Sequence, residues 1–454
     1  MKTQSYSCKA LVVGTGAGGA VAGATLAEAG IDTLLIEQGF PRMYANAAMT
    51  VAVGRPLIPI PIGKAVGGTT IINSSTCFRP PRERVASWGG PSYEELEPFF
   101  EDLEESISVT TVDEALLGGN GRVLKRGCAA LGLELKPLRH NIRDCKGRGQ
   151  CQYGCPEGAK QSMEKTFIPR ALQAGARIIP NYTADRLLMD GAKTSGVAGR
   201  GPDGRFEIHA DVVRNDVANT SDLIGRGLRI HPGARVVAEM DEVVDGFKGL
   251  PQGAYIDHWA ERGIMLEGIF IPPGLMLASL PGAGHVLKDL AADYRRLSAF
   301  GVMVADTASG RVRPGHFGAP FMATYQMNQR DAETMRFGIA RLAEIFFAAG
   351  AKRVFTSFLP IISLESPDAL KAFEAVPVKP SYLEMMAFHP LGTCRMGATP
   401  VDAVVDFDLA LYDVPNLYVM DGSVIPDSLG VNPQITIMAL ARRAAQRLAG
   451  RLKA

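Results

Sequence analysis

The hydrophobic pattern of the first forty residues alternates between apolar runs and a small-residue segment. The runs ALVV (10–13) and TLLIE (33–37) are typical of buried parallel strands. Between them lies a segment rich in alanine and glycine, which we predict to be a helix. Strand, helix and strand in this order predict a complete β-α-β unit.

Short apolar runs also mark the middle of the chain. From about residue 236 to residue 355, runs such as RVVAEM and RGIMLEGIFI alternate with the helical pattern AETMRFGIARLAEIFFAAGA. This alternation predicts an antiparallel sheet with helices on one face. The fold class is therefore predicted as α/β (α+β overall): a Rossmann-type domain with a parallel sheet, and a second domain with an antiparallel sheet.

The C-terminal region predicts a strand, NLYVM, followed by a glycine loop and a helix. Asn432 is a favourable N-cap residue and Pro433 suits the first helical turn, so we predict that the helix begins there. Ile435, Met438 and Leu448 fall among its predicted buried positions.

Composition bounds the class of protein. A chain of 454 residues exceeds the usual size of one hydrophobic core, so we expect two or three domains. Its 48 basic and 47 acidic residues include no run of like charge, which argues against nucleic-acid binding and favours a small-molecule partner. We find no apolar stretch near the roughly 18 residues of a membrane span and no secretory signal pattern. We therefore expect a cytoplasmic protein with no transmembrane segment.

The motif GTGAGG lies between the first predicted strand and helix. Gly14 suits the tight turn, Gly16 the approach of a pyrophosphate, and Gly19 close contact between helix and strand. Glu37 stands about twenty residues further on, where a carboxylate can accept both ribose hydroxyls and disfavours the 2′-phosphate of NADP. We predict dinucleotide binding, and this unit alone leaves NAD and FAD open.

A second glycine loop, GKAVGGTTIIN, contains Gly67, Gly68, Thr69 and Asn73. Its backbone amides and hydroxyls can face another part of the same cofactor. Taken alone, the segment also fits a turn before a strand.

Three separated segments together resemble the glucose-methanol-choline (GMC) family of FAD oxidoreductases. They are GTGAGG with Glu37, GKAVGGTTIIN, and HPLGTCRMG followed by NLYVMDGSVIPDSLGVNPQITIMALA. The resemblance is nearest to long-chain alcohol oxidases and sterol oxidases, and it implies FAD as the cofactor. It also implies a discontinuous FAD-binding domain (1–80, 145–235 and 380–454) and a substrate-binding domain (81–144 and 236–379).

The resemblance assigns roles to residues near the C-terminus. Asp421 and Gly422 match contacts to the pyrophosphate and ribityl chain. Asn432, Pro433 and Gln434 match a helix start that faces the flavin, where its positive end would stabilise negative charge on the reduced ring. The resemblance departs after HADVV (209–213) and in the loop 38–62, which are short for the family, so the chain is either trimmed there or lacks residues.

His389, in FHPLGTCRMG, is the candidate catalytic base. An alcohol that loses a hydride must also lose its hydroxyl proton, and imidazole suits that task near neutral pH. The resemblance places His389 at the base and Asn432 as its partner on the substrate oxygen. We interpret Cys394, in the same motif, as a core-packing residue, because no nucleophile motif accompanies it. His231, in RIHPG, reads as structural.

The predicted reaction is oxidation of a hydrophobic primary or secondary alcohol to an aldehyde or ketone, with hydride transfer to flavin N5. Oxygen or another molecule would accept the electrons. The central segment is rich in methionine, which suits a core or an apolar pocket: Met265, Met276, Met303, Met322 and Met327.

Three cysteines lie close together in sequence: Cys145, Cys151 and Cys155. The spacing lacks the paired ligands of zinc, so we expect no metal, and it leaves structural packing, an iron–sulfur cluster and a disulfide open. The cluster would make the protein an FAD dehydrogenase with an acceptor other than oxygen. A flavin lyase or photoenzyme on the same scaffold is a further alternative. At the position of Cys77 the family usually has an aromatic residue or alanine, and we expect Cys77 to pack in the core.

Overall fold

The computed structural model describes residues 3–39, 45, 50–214, 222–269, 284–315 and 321–454. Met276, residues 40–44 and 46–49 of the loop 38–62, and the residues directly after Arg214 lie outside these ranges, so the predictions made for them stay untested.

Twenty-one strands occur in the described residues. In chain order they are β1 (Gln4–Val13), β2 (Thr33–Glu37), β3 (Val51–Val53), β4 (Ile58–Pro59), β5 (Val109–Thr111), β6 (Lys136–Pro137), β7 (Arg139–Asn141), β8 (Arg177–Pro180), β9 (Thr183–Asp190), β10 (Lys193–Gly201), β11 (Gly204–Arg214), β12 (Arg226–Leu228), β13 (Gly233–Met240), β14 (Ala254–Ile256), β15 (Ile264–Gly268), β16 (Leu297–Val304), β17 (Gly310–Pro314), β18 (Phe321–Thr324), β19 (Ala351–Phe355), β20 (Ser363–Leu364) and β21 (Leu417–Tyr418).

The α-helices of the same ranges are α1 (Ala17–Glu28), α2 (Arg82–Ser87), α3 (Tyr93–Ser106), α4 (Gly118–Ala130), α5 (Phe167–Gln173), α6 (His285–Ala292), α7 (Gln329–Ala348), α8 (Ala369–Ala375) and α9 (Gln434–Lys453). None of the described helices is long and apolar enough to cross a bilayer.

The first large sheet has the order β8-β2-β1-β11-β10-β9, and β21 pairs with β11. Strands β8, β2, β1, β11 and β21 run parallel, whereas β9 and β10 form an antiparallel extension. Strand β1, helix α1 and strand β2 form the predicted β-α-β unit. All five residues of β2 are buried, as expected for a strand covered on both faces.

The second large sheet has the order β20-β19-β13-β16-β15-β14-β6 and is antiparallel throughout. Helices α4 and α7 pack against it. Helix α6 covers the opposite face. Leu290 of α6 belongs to one core cluster with Val237 and Phe355, whereas the neighbouring residues Val236 and Val354 belong to the core cluster of α7. The antiparallel sheet is confirmed, but helices occupy both of its faces rather than one.

A smaller sheet, β12-β17-β18-β3-β4, joins segments that the predicted domain division keeps apart. Strand β3 pairs in parallel with β18, so residues near 52 lie beside residues near 323. This sheet therefore spans the boundary between the two predicted domains.

The C-terminal helix begins later than predicted. Helix α9 starts at Gln434 with Pro433 at the N-cap position, so Asn432 is not the N-cap. The side chain of Asn432 instead points towards His389. Helix α9 packs against α1, which brings the end of the chain beside the N-terminal β-α-β unit.

Candidate active site

A cavity of about 1750 Å³ lies between the two large sheets. Its wall contains most of the residues predicted to bind the cofactor or the substrate oxygen: Gly14, Gly16, Gly19, Glu37, Gly68, Thr69, Asn73, Asp421, Gly422, Asn432, Pro433, Gln434 and His389. Gly67 is the exception. It stands behind the wall, where its backbone N–H donates to Thr15 Oγ1 at 3.0 Å.

The two glycine loops meet at one point of this wall. Gly14 has a φ of +90°, which a residue with a side chain rarely adopts. A Cβ atom on Gly68 would lie 2.6 Å from the Cα atom of Gly16, so the second loop has no room for a side chain at the contact. The contact brings both loops onto one stretch of the cavity wall, and this surface fits the pyrophosphate of a dinucleotide.

The carboxylate of Glu37 secures the first loop. Its Oε2 atom accepts hydrogen bonds from the backbone N–H of Thr15 at 2.9 Å and from Thr15 Oγ1 at 2.8 Å. Its Oε1 atom accepts from the N–H of Gly39 at 3.0 Å. Glu37 therefore holds the turn while it lines the cavity at the end of β2, where a ribose hydroxyl is predicted to bind.

Lys160 secures the second loop from behind. Its buried ammonium group donates to the backbone carbonyls of Ile71, Asn73 (3.0 Å) and Cys151 (2.7 Å). Burial lowers the pKa of Lys160 to about 8. Within the same loop, the side chain of Asn73 donates to the Oε1 atom of Gln434, so the loop is tied to the first residue of α9.

The positive end of helix α9 faces the cavity at Pro433 and Gln434. Beside it, Asp421 accepts a hydrogen bond from the backbone N–H of Ser423 at 2.9 Å and so caps a short 3₁₀ helix. Since a helix N-terminus attracts negative charge, this corner suits the electron-rich edge of a reduced flavin.

His389 and Asn432 stand together on the wall, with Asn432 Nδ2 3.4 Å from His389 Nε2. Burial lowers the pKa of His389 to about 4, so the imidazole is neutral at physiological pH. As Nε2 faces the amide donor of Asn432, the ring proton belongs on Nδ1. Within the described residues, neither His389 Nδ1 nor Asn432 Oδ1 has a hydrogen-bond partner.

His231 lies in the same wall, although its sequence context indicated a structural role. Its ring centroid is 5.3 Å from that of His389, at an interplanar angle of 76°. Its Nε2 atom accepts a hydrogen bond from the N–H of Gly430 at 3.1 Å. Burial, with a smaller contribution from His389, lowers the pKa of His231 well below its usual value.

Glu267 is a cavity residue that sequence reasoning missed. It lies on β15 with 6% of its surface exposed, and burial raises its pKa to about 8. Its carboxyl group interacts with the side chains of Asn432 and Thr76. One signal was available: a single acidic residue inside the otherwise apolar run GIMLEGIFI is costly to bury unless it is neutral or paired.

The three clustered cysteines are free thiols, with Cys151 buried and Cys145 and Cys155 partly exposed. Among the described ranges, which include all three, no group of three His, Cys, Asp or Glu side chains could hold a metal ion. No disulfide joins the seven cysteines. Cys77 and Cys394 are buried, as expected.

The methionines fall into two groups. Met303 lines the cavity, whereas Met265 and Met327 are buried in the two main cores and Met322 is 37% exposed. Other apolar side chains at this side of the cavity are Leu57, Phe321, Leu359, Met385 and Phe388.

A glycine loop at the end of a parallel strand, a second glycine loop against it and a helix N-terminus facing the same cavity are typical of a dinucleotide-dependent oxidoreductase. Comparison with known proteins identifies the family. The GMC oxidoreductase models match residues 40–222 and 306–441. An uncharacterized GMC-type oxidoreductase of Mycobacterium tuberculosis is 33% identical, over 95% of this chain and 74% of its own length.

The chain belongs to the GMC oxidoreductase family and is an FAD-dependent oxidoreductase that acts on alcohols. A long-chain-alcohol oxidase of Arabidopsis thaliana is 28% identical, over 96% of this chain and 66% of its own length. The crystal structure of pyridoxine 4-oxidase from Mesorbium loti superposes with a TM-score of 0.74 at 18% identity, over 97% of this chain and 99% of that one. This last likeness concerns the fold.

Proposed function

We propose that the protein oxidises a hydrophobic primary or secondary alcohol to an aldehyde or ketone, with His389 as the base. The observation that carries this proposal is the pair formed by His389 Nε2 and Asn432 Nδ2 on the cavity wall, 3.4 Å apart. A hydroxyl group placed beside both nitrogen atoms would accept a hydrogen bond from Asn432 and donate one to His389.

The protonation state of His389 supports this role. With its pKa lowered to about 4, the imidazole is neutral, and its Nε2 lone pair is available to receive the hydroxyl proton. Because the imidazolium form is disfavoured by burial, the proton is released readily once the product has left. Asn432 holds the oxygen in place while the C–H bond is broken.

FAD would be held by the glycine loops at Gly16 and Gly68, by Glu37 and by the start of α9. When bound, it would supply the two-electron acceptor, at flavin N5, for the hydride that leaves the alcohol. The residues fit this group because the loops have no Cβ atoms at their contact and the helix end is open to the cavity. The final electron acceptor is proposed to be oxygen or another small molecule.

The substrate is proposed to be apolar because Leu57, Phe321 and Leu359 line the cavity. Arg235 also lines it, and burial lowers the pKa of Arg235 while the charge of Glu384 partly opposes that shift. The relation to long-chain-alcohol oxidases supports the same class of substrate. We also propose the domain division given above, with the small sheet at its boundary.

The test is anaerobic reduction of the bound flavin by a panel of aliphatic alcohols of increasing length and of sugars. We expect long aliphatic alcohols to bleach the flavin fastest. If sugars reduced it and alcohols did not, the substrate assignment would be wrong.

His389→Ala should lower the rate of flavin reduction by a hundredfold or more, at the scale of about 10² to 10⁴ for general-base catalysis, while FAD stays bound. His209→Ala, which removes an exposed histidine of β11, is the matched control and should react like the wild type. A fully active His389→Ala variant would overturn the assignment of the base.

A further inference from the structure

We propose that His231 is a positioning residue that fixes His389 and Asn432 relative to each other. The inference rests on the proposed role of that pair. His231 contacts His389 through an edge-to-face ring contact and contacts the loop of Asn432 through Gly430, two residues before it. One side chain thus touches both segments that carry the reacting groups.

The ring of His231 is held in one orientation. Because its Nε2 accepts the N–H of Gly430 at 3.1 Å, the proton of the neutral ring belongs on Nδ1. The interplanar angle of 76° places this ring nearly perpendicular to that of His389. An edge-to-face contact restricts rotation of both rings, so Nε2 of His389 is kept directed at Asn432.

The backbone at His231 is also unusual. Its φ of +47° lies in the left-handed region, which a residue with a side chain adopts only at an energetic cost. The segment keeps this conformation because Asp306 accepts the backbone N–H groups of Ile230 (3.2 Å) and His231 (3.1 Å). Strain that the surroundings hold in place is typical of functional segments.

Asp306 extends the same restraint to the loop of Asn432. Its carboxylate, with 2% of the residue exposed, also accepts from Ser428 Oγ at 2.8 Å and from Tyr325 OH at 3.0 Å. Ser428 lies four residues before Asn432. Asp306 therefore anchors the segment of His231 and the segment of Asn432 to one point, and His231 bridges them at the cavity side.

The protonation of His231 agrees with this role. Burial, the ring of His389 and the guanidinium of Arg84 together lower the pKa of His231. A neutral His231 accepts from Gly430, whereas a protonated ring could not. The bridge is therefore intact at physiological pH.

The test compares His231→Phe and His231→Gln in the FAD-loaded enzyme. Phe keeps a ring against His389 but cannot accept from Gly430, whereas the amide oxygen of Gln can take the place of Nε2. We expect His231→Phe to lower the limiting rate of flavin reduction by roughly 10- to 100-fold, the cost of a misplacement near 1 Å, with FAD affinity and KM changed about twofold at most. His231→Gln should recover part of the rate.

His258→Phe is the matched control, since His258 makes a similar edge-to-face contact, with Trp259 at 5.0 Å, on the surface. A second readout uses nitrogen NMR of ¹⁵N-histidine-labelled protein. His389 should show one tautomer in the wild type and exchange between tautomers in His231→Phe.

The outcomes separate the two proposals. Wild-type rates and a single His389 tautomer in His231→Phe would overturn the positioning role, even when His389→Ala is inactive. Full activity of His389→Ala would overturn the base instead. If His231→Phe does not fold, His231→Gln decides: a partly lowered rate with exchange between His389 tautomers supports the positioning role, because the ring contact is lost, and a wild-type rate with a single tautomer contradicts it.

Discussion

The stability of the Glu267→Gln variant relative to the wild type should increase as the pH rises. Gln has nearly the same shape as the protonated acid but cannot ionise. The pKa of Glu267 is raised from 4.5 to about 8 by burial, so between these values the folded chain binds a proton that the unfolded chain has released. Stability contributed by this group is therefore complete below about pH 4.5 and is lost as the pH rises to about 8.

The magnitude follows from the size of this difference. Each pKa unit corresponds to about 1.36 kcal/mol, so the rise is equivalent to roughly 5 kcal/mol. With an unfolding entropy of about 2.1 cal/mol/K per residue, 1 kcal/mol changes the Tm of a chain of this length by about 1 °C. By linkage, about 3.5 kcal/mol of this total falls between pH 5 and pH 8, so the Tm of Glu267→Gln, minus that of the wild type, should increase by about 3.5 °C over that range.

The assay is differential scanning calorimetry at pH 5, 6.5 and 8 with the same excess of FAD. Glu261→Gln is the control, because Glu261 is exposed on the turn before β15 and its replacement should give a difference that does not vary with pH. If the difference for Glu267→Gln were equally flat, Glu267 would be ionised in the folded protein and our account of its burial would be wrong.

Two further variants test the cofactor wall. Gly68→Ala should abolish FAD binding, because the new Cβ would lie 2.6 Å from the Cα of Gly16. Gly132→Ala is the control and should retain FAD, because Gly132 also has a positive φ but has open space around it. Equal FAD content in both variants would contradict the importance of the contact between Gly68 and Gly16. Lys160→Met removes hydrogen bonds to three backbone carbonyls and should raise the Kd for FAD about tenfold or more at pH 7. Since the pKa of Lys160 is about 8, wild-type affinity should fall above that pH while the variant stays unchanged, which equilibrium dialysis from pH 7 to 9 would measure.

The parts of the site that sequence predicts are those encoded locally. The turn at Gly14 and Gly16 and the acid at Glu37 lie within one β-α-β unit, so their spacing along the chain fixes their spacing in space. The roles of His389 and Asn432 required a resemblance, because the contact between them joins residues 43 positions apart.

The residues that sequence analysis missed depend on tertiary contacts. His231 reaches the cavity through a left-handed backbone held by Asp306, 75 residues away, and no local pattern encodes that restraint. Glu267 faces the cavity because of the pairing of β15 in the second sheet. The start of α9 was misplaced because the side chain of Asn432 is used at the cavity instead of capping the helix.

The packing of α9 against α1 also determines when, during synthesis of the chain, the cavity can be completed. The wall of the cavity combines Gly14, near the start of the chain, with Gln434, near the described C-terminus. During synthesis the N-terminal β-α-β unit leaves the ribosome first, but the helix end that completes the cavity follows more than 400 residues later. At about 5–20 residues per second, the early unit waits tens of seconds for its partner. Tight flavin binding therefore requires that α9 has been made, and the supply of FAD from that moment on determines how much of the protein is captured in its stable form.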